Sequence, residues 1–267
     1  MIKDITLGQY YPVESLVHRL EARSKVLGVL AYLVGLFVVN NFWGFVIAAV
    51  AVGTVIKLSG VPFSYMMRGL KAILLILLFT MVLNVFMMDG TILWQWKFLK
   101  ITYEGLYRAA FMGIRLVLLI IGTSLLTFCT KPTELTDGLE KLLSPFARVG
   151  LPAHEIALMM TIALRFIPVL MDEADKIMKA QQSRGADFES GNIFQRAKSL
   201  IPIIVPLFVS SFRIAGDLAL AMEARCYRGG VNRTRMKELQ VTYVDYIGVG
   251  AVVLITIILI ALWWLGL

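Results

Sequence analysis

The residues that could support catalysis form one acidic cluster and two isolated histidines. Asp172, Glu173 and Asp175 lie close together, and carboxylates of this kind can hold a metal ion for a membrane enzyme. No second acidic motif joins them, and no spacing of cysteines and histidines suits a metal. His18 and His154 are far apart in the chain. We interpret the carboxylates as a solvated helix face and the histidines as structural or surface residues, and we expect no metal.

The sequence also contains no glycine-rich phosphate loop followed by Lys-Ser or Lys-Thr, so binding of ATP by that route is not expected. Its two cysteines, Cys129 and Cys226, are far apart, one at a predicted membrane end and one in a charged segment. We therefore expect no disulfide between them, no cofactor and no enzymatic activity.

Two short segments, residues 180–186 and 221–227, have an arginine at the same place, Arg184 and Arg225. Each segment closes a helical pattern. The planar guanidinium suits a buried carboxylate, and small neighbours let a helix end enter a groove without collision. Alternatively, each arginine only complements its helix dipole, worth about 0.3–1 kcal/mol. Two matching sites favour docking to a partner protein. The small neighbours are Ser183, Gly185, Ala224 and Cys226.

The elements that position these segments belong to a membrane protein. The 267 residues are 58% hydrophobic with a mean hydropathy of +0.78, which exceeds the apolar share of soluble domains. Residues 1–25 lack the apolar core of a signal peptide. The net charge is +8, and the lysines and arginines of the loops indicate the orientation.

Residues 26–56 carry no charge, and as one helix they would run about 46 Å across a hydrocarbon core of about 30 Å. Asn40 and Asn41 offer a turn, so we predict two short spans, with one steeply tilted helix as the alternative. Lys25 and Lys57 are then expected to extend toward the membrane surface. Both ends of this hairpin are basic, which predicts that both lie in the cytoplasm.

Three further spans are predicted at residues 72–88, 109–129 and 246–267, with an external loop at 89–107. Five spans place the N-terminus in the cytoplasm and the C-terminus outside. Arg115 is an intramembrane charge near the start of the fourth predicted span, so we expect its side chain to extend toward the surface.

The segment between the fourth and fifth spans is charged but also contains long apolar runs. Prolines inside these runs argue against plain spanning helices. We predict long amphipathic helices at about 153–183 and 200–224 on the cytoplasmic side, which could cover the membrane, pack on each other or form a docking platform. Arg165 is expected to pair with an acidic residue and hold these helices together. Their apolar stripes consist of Leu170, Ala174, Ile177, Met178, Phe208, Ala215, Leu218 and Met222.

The predicted fold class is all-α: an integral membrane protein with about five transmembrane helices and a cytoplasmic-side domain of long amphipathic coupling helices. Residues 1–130 are expected to hold the N-terminal segment and the first four spans. Residues 131–244 are expected to form the coupling domain, and residues 245–267 the fifth span.

Several motifs taken together resemble the transmembrane (T) component of energy-coupling factor (ECF) transporters, and the resemblance covers nearly the whole chain. That family links a substrate-binding membrane protein, the S component, to two ABC-type ATPases. The motifs lie at residues 8–15, 18–25, 150–155, 163–168, 182–187 and 221–228.

The resemblance implies a non-enzymatic scaffold in the bilayer of a prokaryotic plasma membrane. It would couple ATP hydrolysis by two ATPase subunits to movement of the S component, for uptake of a vitamin or other micronutrient, with no nucleic acid involved. The family's two Ala-Arg-Gly-like triplets, which dock into the ATPases, correspond to residues 183–185 and 224–226. Ser183 and Cys226 depart from that pattern, and Cys226 removes the backbone freedom of glycine. The stripes and membrane helices are implied to receive the S component.

Two alternatives remain. One is a stand-alone membrane carrier or enzyme that uses Arg115, Arg165 and the acidic cluster, and that would be active without ATPases. The other is a dedicated permease that carries substrate itself.

Overall fold

The chain is helical along most of its described length. The structure, a computed structural model, describes residues 10–88, 90–96, 99–188, 192–229 and 242–264. The elements of these residues are α1 (Leu16–Arg19), α2 (Ala22–Val38), α3 (Phe42–Ser59), α4 (Phe63–Met87), β1 (Ile92–Trp96), β2 (Leu99–Thr102), α5 (Tyr103–Cys129), α6 (Pro132–Leu143), a 3-10 helix (Ser144–Val149), α7 (Ala153–Ser183), α8 (Ile193–Ser199), α9 (Ile201–Ala224) and α10 (Tyr243–Trp264).

Two helices occupy the uncharged run at residues 26–56. α2 ends at Val38 and α3 begins at Phe42, so the prediction of a break at Asn40 and Asn41 is confirmed. With 17 residues, α2 is about 25 Å long, a little less than the hydrocarbon core.

The fold class of a multi-helix integral membrane protein is also confirmed. Within the described residues, α3, α5, α7, α10 and the stretch Phe194–Ala224 are long and apolar enough to cross a membrane. α4 becomes a sixth candidate if its two parts, which bend by 62°, count as one span. The predicted cytoplasmic position of α7 and α9 stays a prediction, because their length and composition also suit a span.

The predicted external loop contains regular structure. β1 and β2 pair antiparallel, with Trp94 opposite Ile101. The Thr102 hydroxyl accepts a hydrogen bond from the amide of Gly105 at 3.1 Å and so caps the start of α5. The predicted external loop thus contains a hairpin, which its β-branched and aromatic side chains favour, and its position outside the membrane stays a prediction.

The chain divides into two compact units, with the boundary inside α6. Unit I comprises the described residues of 10–138 and 242–264, and unit II those of 139–229. In unit I, α5 contributes to two apolar clusters: Phe128 packs in one with α3 and the start of α4, and Leu118 packs in the other with α2, α3 and α10. α5 is thus the central helix of unit I.

Arg115 joins α5 to the turn between α2 and α3. Its guanidinium donates to the carbonyl of Val39 and, at 3.0 Å, to Oδ1 of Asn40. The Val39 carbonyl belongs to the C-cap residue of α2, where backbone acceptors have no partner within the helix. These acceptors hold the side chain at the turn, and its extension toward the membrane surface stays a prediction.

The polar residues at the other end of unit I are also paired. Lys25 is buried and donates to the carbonyls of His18 at 3.1 Å and Cys129 at 2.8 Å, so the expectation that it reaches the membrane surface was wrong. Asp245 is buried at the start of α10 and accepts the amide of Glu21 at 2.6 Å. Burial lowers the pKa of His18, which hydrogen-bonds Ser15 and fits the structural role predicted for it. These contacts join α1, α2, α5 and α10.

Replacing Arg115 by methionine is expected to lower the free energy of unfolding by about 1.5–3 kcal/mol, because the buried Val39 carbonyl loses a charged donor. Thermal unfolding in detergent measures the change. Arg108, exposed on the same helix, is the control, and Arg108→Met should unfold at the wild-type temperature. Equal unfolding temperatures for the two variants would contradict the capping role.

Candidate protein-docking site

The two long helices of unit II, α7 and α9, run antiparallel. Near the end of α7, the Gln181 side chain donates to the carbonyl of Pro202 near the start of α9, at 3.5 Å. Farther along α9, the Ser210 hydroxyl donates to Oε1 of Glu173 at 3.4 Å. Residues closer to the end of α9 therefore contact residues closer to the start of α7. The two C-terminal ends, which carry the predicted docking triplets, lie at opposite ends of the pair.

The end of α7 at residues 183–185, called end A, closes with a defined hydrogen-bond pattern. Arg184 is the C-cap residue, with φ −90° and ψ 6°. The amide of Gly185 donates to the Gln182 carbonyl at 2.9 Å, and the amide of Ala186 donates to the Gln181 carbonyl at 3.0 Å. Gly185 has φ +88°, which glycine adopts without steric cost. This pattern is a Schellman motif, which terminates the helix and leaves the arginine at its tip.

The end of α9 at residues 224–226, called end B, repeats the motif. Arg225 is the C-cap residue, with φ −90° and ψ 12°. The amide of Cys226 donates to the Glu223 carbonyl at 2.8 Å, and the amide of Tyr227 donates to the Met222 carbonyl at 3.0 Å. Cys226 has φ +56°, a left-handed conformation that costs a residue with a Cβ about 1–2 kcal/mol. The backbone of end B therefore matches end A although it lacks the glycine.

Both arginines are exposed and available. Neither Arg184 nor Arg225 forms a salt bridge with another residue of the described ranges. Their small neighbours Ser183 and Ala224 are exposed too. An exposed guanidinium on a fixed turn can form a bidentate pair with a carboxylate or donate to backbone carbonyls.

The distance between the two ends follows from the antiparallel pairing. Gln181 lies beside Pro202, which is 23 residues before Arg225 in sequence. At a rise of 1.5 Å per residue, and counting the last turn of α7, the two arginines are roughly 35–40 Å apart along the pair. The likeness of residues 180–186 to residues 221–227 did not predict the distance between the two arginines, because that distance depends on how α7 and α9 pack.

The predicted apolar stripe does not form one uniform surface. Phe208 and Ala215 are exposed. The other six residues are half-buried, four of them on α7 and two on α9. Two further residues of α9, Ile203 and Ser210, are buried. Those six are Leu170, Ala174, Ile177, Met178, Leu218 and Met222.

A more exposed apolar face on α9 was missed. Phe212 is 74% exposed, and its ring centroid lies 6.4 Å from that of Phe208. The signal in the sequence was the unbroken apolar run at 200–209, which is wider than one helical stripe. The further large apolar residues exposed on this helix are Ile201, Ile204, Val205, Val209 and Leu220.

Arg165 and His154 have different environments. Arg165 is exposed and forms no salt bridge within the described ranges, so the ion pair expected for it stays a prediction. His154, at the start of α7, lies between Oε1 of Glu140 and the hydroxyl of Tyr227. It therefore has a structural environment, as the sequence predicted.

Unit I contains an apolar groove of 570 Å³ between α2, α3, α5 and α10. Three hydroxyl groups in its lining are occupied: Tyr32 donates to the Leu118 carbonyl at 2.9 Å, and Thr54 and Thr256 donate to carbonyls of their own helices at 2.8 and 2.9 Å. A lining of this kind suits a hydrocarbon chain better than a polar solute.

Comparison with known proteins decides the family. A family model described as CbiQ, cobalt transport protein, matches residues 13–237. A protein of Clostridium kluyveri, named energy-coupling factor transporter transmembrane protein EcfT, is 59% identical over 268 residues, covering 99% of each chain. The chain belongs to the family of ECF transporter T components.

Other T components are similar over both units. The EcfT protein of Thermosediminibacter oceani is 58% identical over 244 residues, 91% of this chain and 92% of its own. That of Bacillus subtilis is 47% identical over 240 residues, 90% of this chain and 91% of its own. These names describe membrane components of transporters, which implies a non-enzymatic role for the family.

The departure of this T component from glycine at end B gives a stability prediction. Cys226→Gly is expected to increase the protection of the end B amides about 2–5-fold, because relief of about 1–2 kcal/mol of left-handed strain exceeds the extra backbone entropy that glycine loses, about 0.5–1 kcal/mol. Gly185→Ala should decrease protection at end A by a similar factor. Hydrogen exchange of the full chain measures both. If both changes shifted protection in the same direction, the strain argument would be wrong.

Proposed function

We propose that this chain is the coupling subunit of an ECF-type importer, which transmits conformational changes of two ATPase subunits to a substrate-binding S component. The observation that supports this most is the pair of like ends A and B on one antiparallel helix pair. A separation of roughly 35–40 Å exceeds the diameter of a small domain, about 30 Å, and so suits two neighbouring protein subunits.

Ends A and B are the proposed ATPase-docking elements. In each, the arginine enters a groove of one ATPase, while the small residues on either side allow close approach. The Schellman turns support this role, since they fix the backbone at Arg184 and Arg225 through two hydrogen bonds each. Affinity then comes from a preorganised cation and not from ordering of a flexible tail.

Movement of the helix pair is the proposed output. When ATP closes the two ATPases, their grooves approach, and ends A and B must follow. The contact between α7 and α9 supports such movement: its two side-chain hydrogen bonds, at 3.4 and 3.5 Å, are long, and α9 has few buried residues. Weak packing lets the helices slide on each other at low cost.

The exposed apolar face of α9 around Phe208 and Phe212, together with the predicted stripe, is the proposed platform for the S component. The face is exposed in the single chain, and it lies on the helix that carries end B, which supports its use as a contact for a membrane partner. The ATP-driven change can move the S component only through contacts that differ between the open and closed states. A platform on the moving helix provides such contacts.

The orientation follows from the partners. ATP is cytoplasmic, so ends A and B and the predicted coupling domain, residues 131–244, face the cytoplasm. The N-terminus lies on the same side, and the C-terminus after the last span lies outside. The membrane part, residues 1–130 and 245–267, holds the platform in the plasma membrane of a prokaryote, and the S component selects a vitamin or other micronutrient.

A permease that binds the solute itself has less support. The groove in unit I is apolar, and polar micronutrients need polar partners in a binding site. We therefore assign substrate binding to the S component.

Purification of the tagged chain from native membranes tests the proposal. We expect two ATPase chains and at least one further membrane protein to co-purify, and ATP hydrolysis to require the ATPases. One abundant further protein would indicate a dedicated transporter, and several would indicate a shared one. If the chain purified alone and transported solute in liposomes without ATPases, the proposal would be wrong.

A further inference from the structure

A chain of three polar side chains connects end B to the rest of unit II. Tyr227 directly follows end B, and its hydroxyl lies 3.4 Å from Nε2 of His154 at the start of α7. Nδ1 of His154 lies 3.1 Å from Oε1 of Glu140 in α6. Both side chains of the second contact are largely covered, with 27% and 17% exposure. Three elements therefore meet next to the arginine of end B.

The proton positions of this chain follow from its chemistry. A carboxylate can only accept, so Nδ1 of His154 carries a proton and donates it to Glu140. In the neutral ring Nε2 then accepts from the Tyr227 hydroxyl, and in the charged ring Nε2 donates to the same oxygen. Glu140 thus orients the imidazole, and the contact with Tyr227 persists in both protonation states.

End A has no equivalent of this tyrosine. The residue that follows its Schellman turn is Ala186, whose methyl group cannot form a hydrogen bond. The two ends share a backbone but differ in what holds them. End B needs additional support, because Cys226 occupies a left-handed conformation that disfavours residues other than glycine.

We propose that Tyr227, His154 and Glu140 are positioning residues that hold end B in its docking geometry, whereas the matching place after end A is taken by Ala186. This inference rests on the proposed docking of Arg225 to an ATPase. It makes the two docking sites mechanically unequal: force at end B passes directly to α6 and the start of α7. End A lies near the contact of Gln181 with Pro202 instead, so force there passes along α7 and to the start of α9.

Binding of the ATPase pair to the full-length chain tests this with Tyr227→Phe, which removes only the hydroxyl. We expect binding to weaken about 3–10-fold in the wild-type background, the size of one hydrogen bond. In the Arg184→Ala background, docking depends on end B, so Tyr227→Phe should weaken binding by the same factor. With Arg225→Ala, Tyr227→Phe should change nothing further, because the residue acts through that arginine.

His154→Gln retains a side-chain amide that can contact Tyr227, and it should weaken binding less than His154→Ala. An equal effect of Tyr227→Phe in both arginine backgrounds, or no effect in either, would overturn the proposal. Hydrogen exchange gives a second test that does not depend on docking. The amides of residues 226 and 227 should exchange about 3–10-fold faster in Tyr227→Phe, and those of 185 and 186 should not change.

Unchanged exchange at residues 226 and 227 would also overturn the positioning role. The two failures can be distinguished. If neither arginine variant weakens binding, the proposed docking is wrong, while the exchange measurement still decides whether Tyr227 fixes end B.

Discussion

The double variant Arg184→Glu with Arg225→Glu is expected to lose both ATPase subunits. Each guanidinium is exposed on a fixed turn and forms no salt bridge among the described residues, so its donors are free to bind an acceptor of the ATPase. Disrupting a hydrogen-bonded charge pair of this kind costs about 2–5 kcal/mol, and charge reversal adds repulsion. Two such losses correspond to at least about 1,000-fold weaker association. Co-purification and ATP-driven uptake measure the result.

Arg213→Glu is the matched control for charge. Arg213 is exposed on α9, but it is 12 residues from Arg225 and outside both docking ends. That variant should retain the ATPases. If the double variant still co-purified with both ATPases and supported uptake, the docking assignment would be wrong. Single reversals should show which ATPase each end binds.

Replacing Phe208 and Phe212 by serine is expected to release the S component while both ATPases stay bound. Both rings are exposed and adjacent on α9, and neither is part of end A or end B. Burial of a phenylalanine is worth about 1.5–3 kcal/mol. Two losses of this size weaken association by at least about 100-fold. Co-purification of tagged S component measures the change.

Phe194→Ser is the control for this pair, since Phe194 is a phenylalanine of α8 with 84% exposure. It should leave the complex intact. Release of the S component by the control as well would place the platform elsewhere. Retention of the S component by the double variant would contradict the platform role of the α9 face.

Local patterns in the sequence predicted much of this protein. The asparagine pair between two apolar runs indicated the break between α2 and α3, because hydrophobic length and turn residues act over short distances. The two arginine segments indicated two helix ends of one kind. The structure has the same turn at both, and a Schellman turn needs only local backbone hydrogen bonds.

Side-chain partners were harder to predict. Lys25 looked like a residue that reaches the membrane surface, yet it binds carbonyls of His18 and Cys129. Its second acceptor is more than 100 residues away in sequence, at the end of α5. The acceptors of Arg115 are also distant in sequence, 76 and 75 residues away, in the turn between α2 and α3. Periodicity identifies the face of a helix, but it contains no information about which distant carbonyl lies opposite.

Sequence alone established an all-α membrane protein with two like arginine-tipped helix ends, because composition and helix termination are properties of short segments. The antiparallel packing of α7 and α9 decided that these ends lie far apart, which suits two partners. Packing also decided which parts of the apolar stripe stay exposed, and it brought Glu140 and His154 to Tyr227. These features depend on contacts between residues distant in the chain, and such contacts form only when the helices assemble.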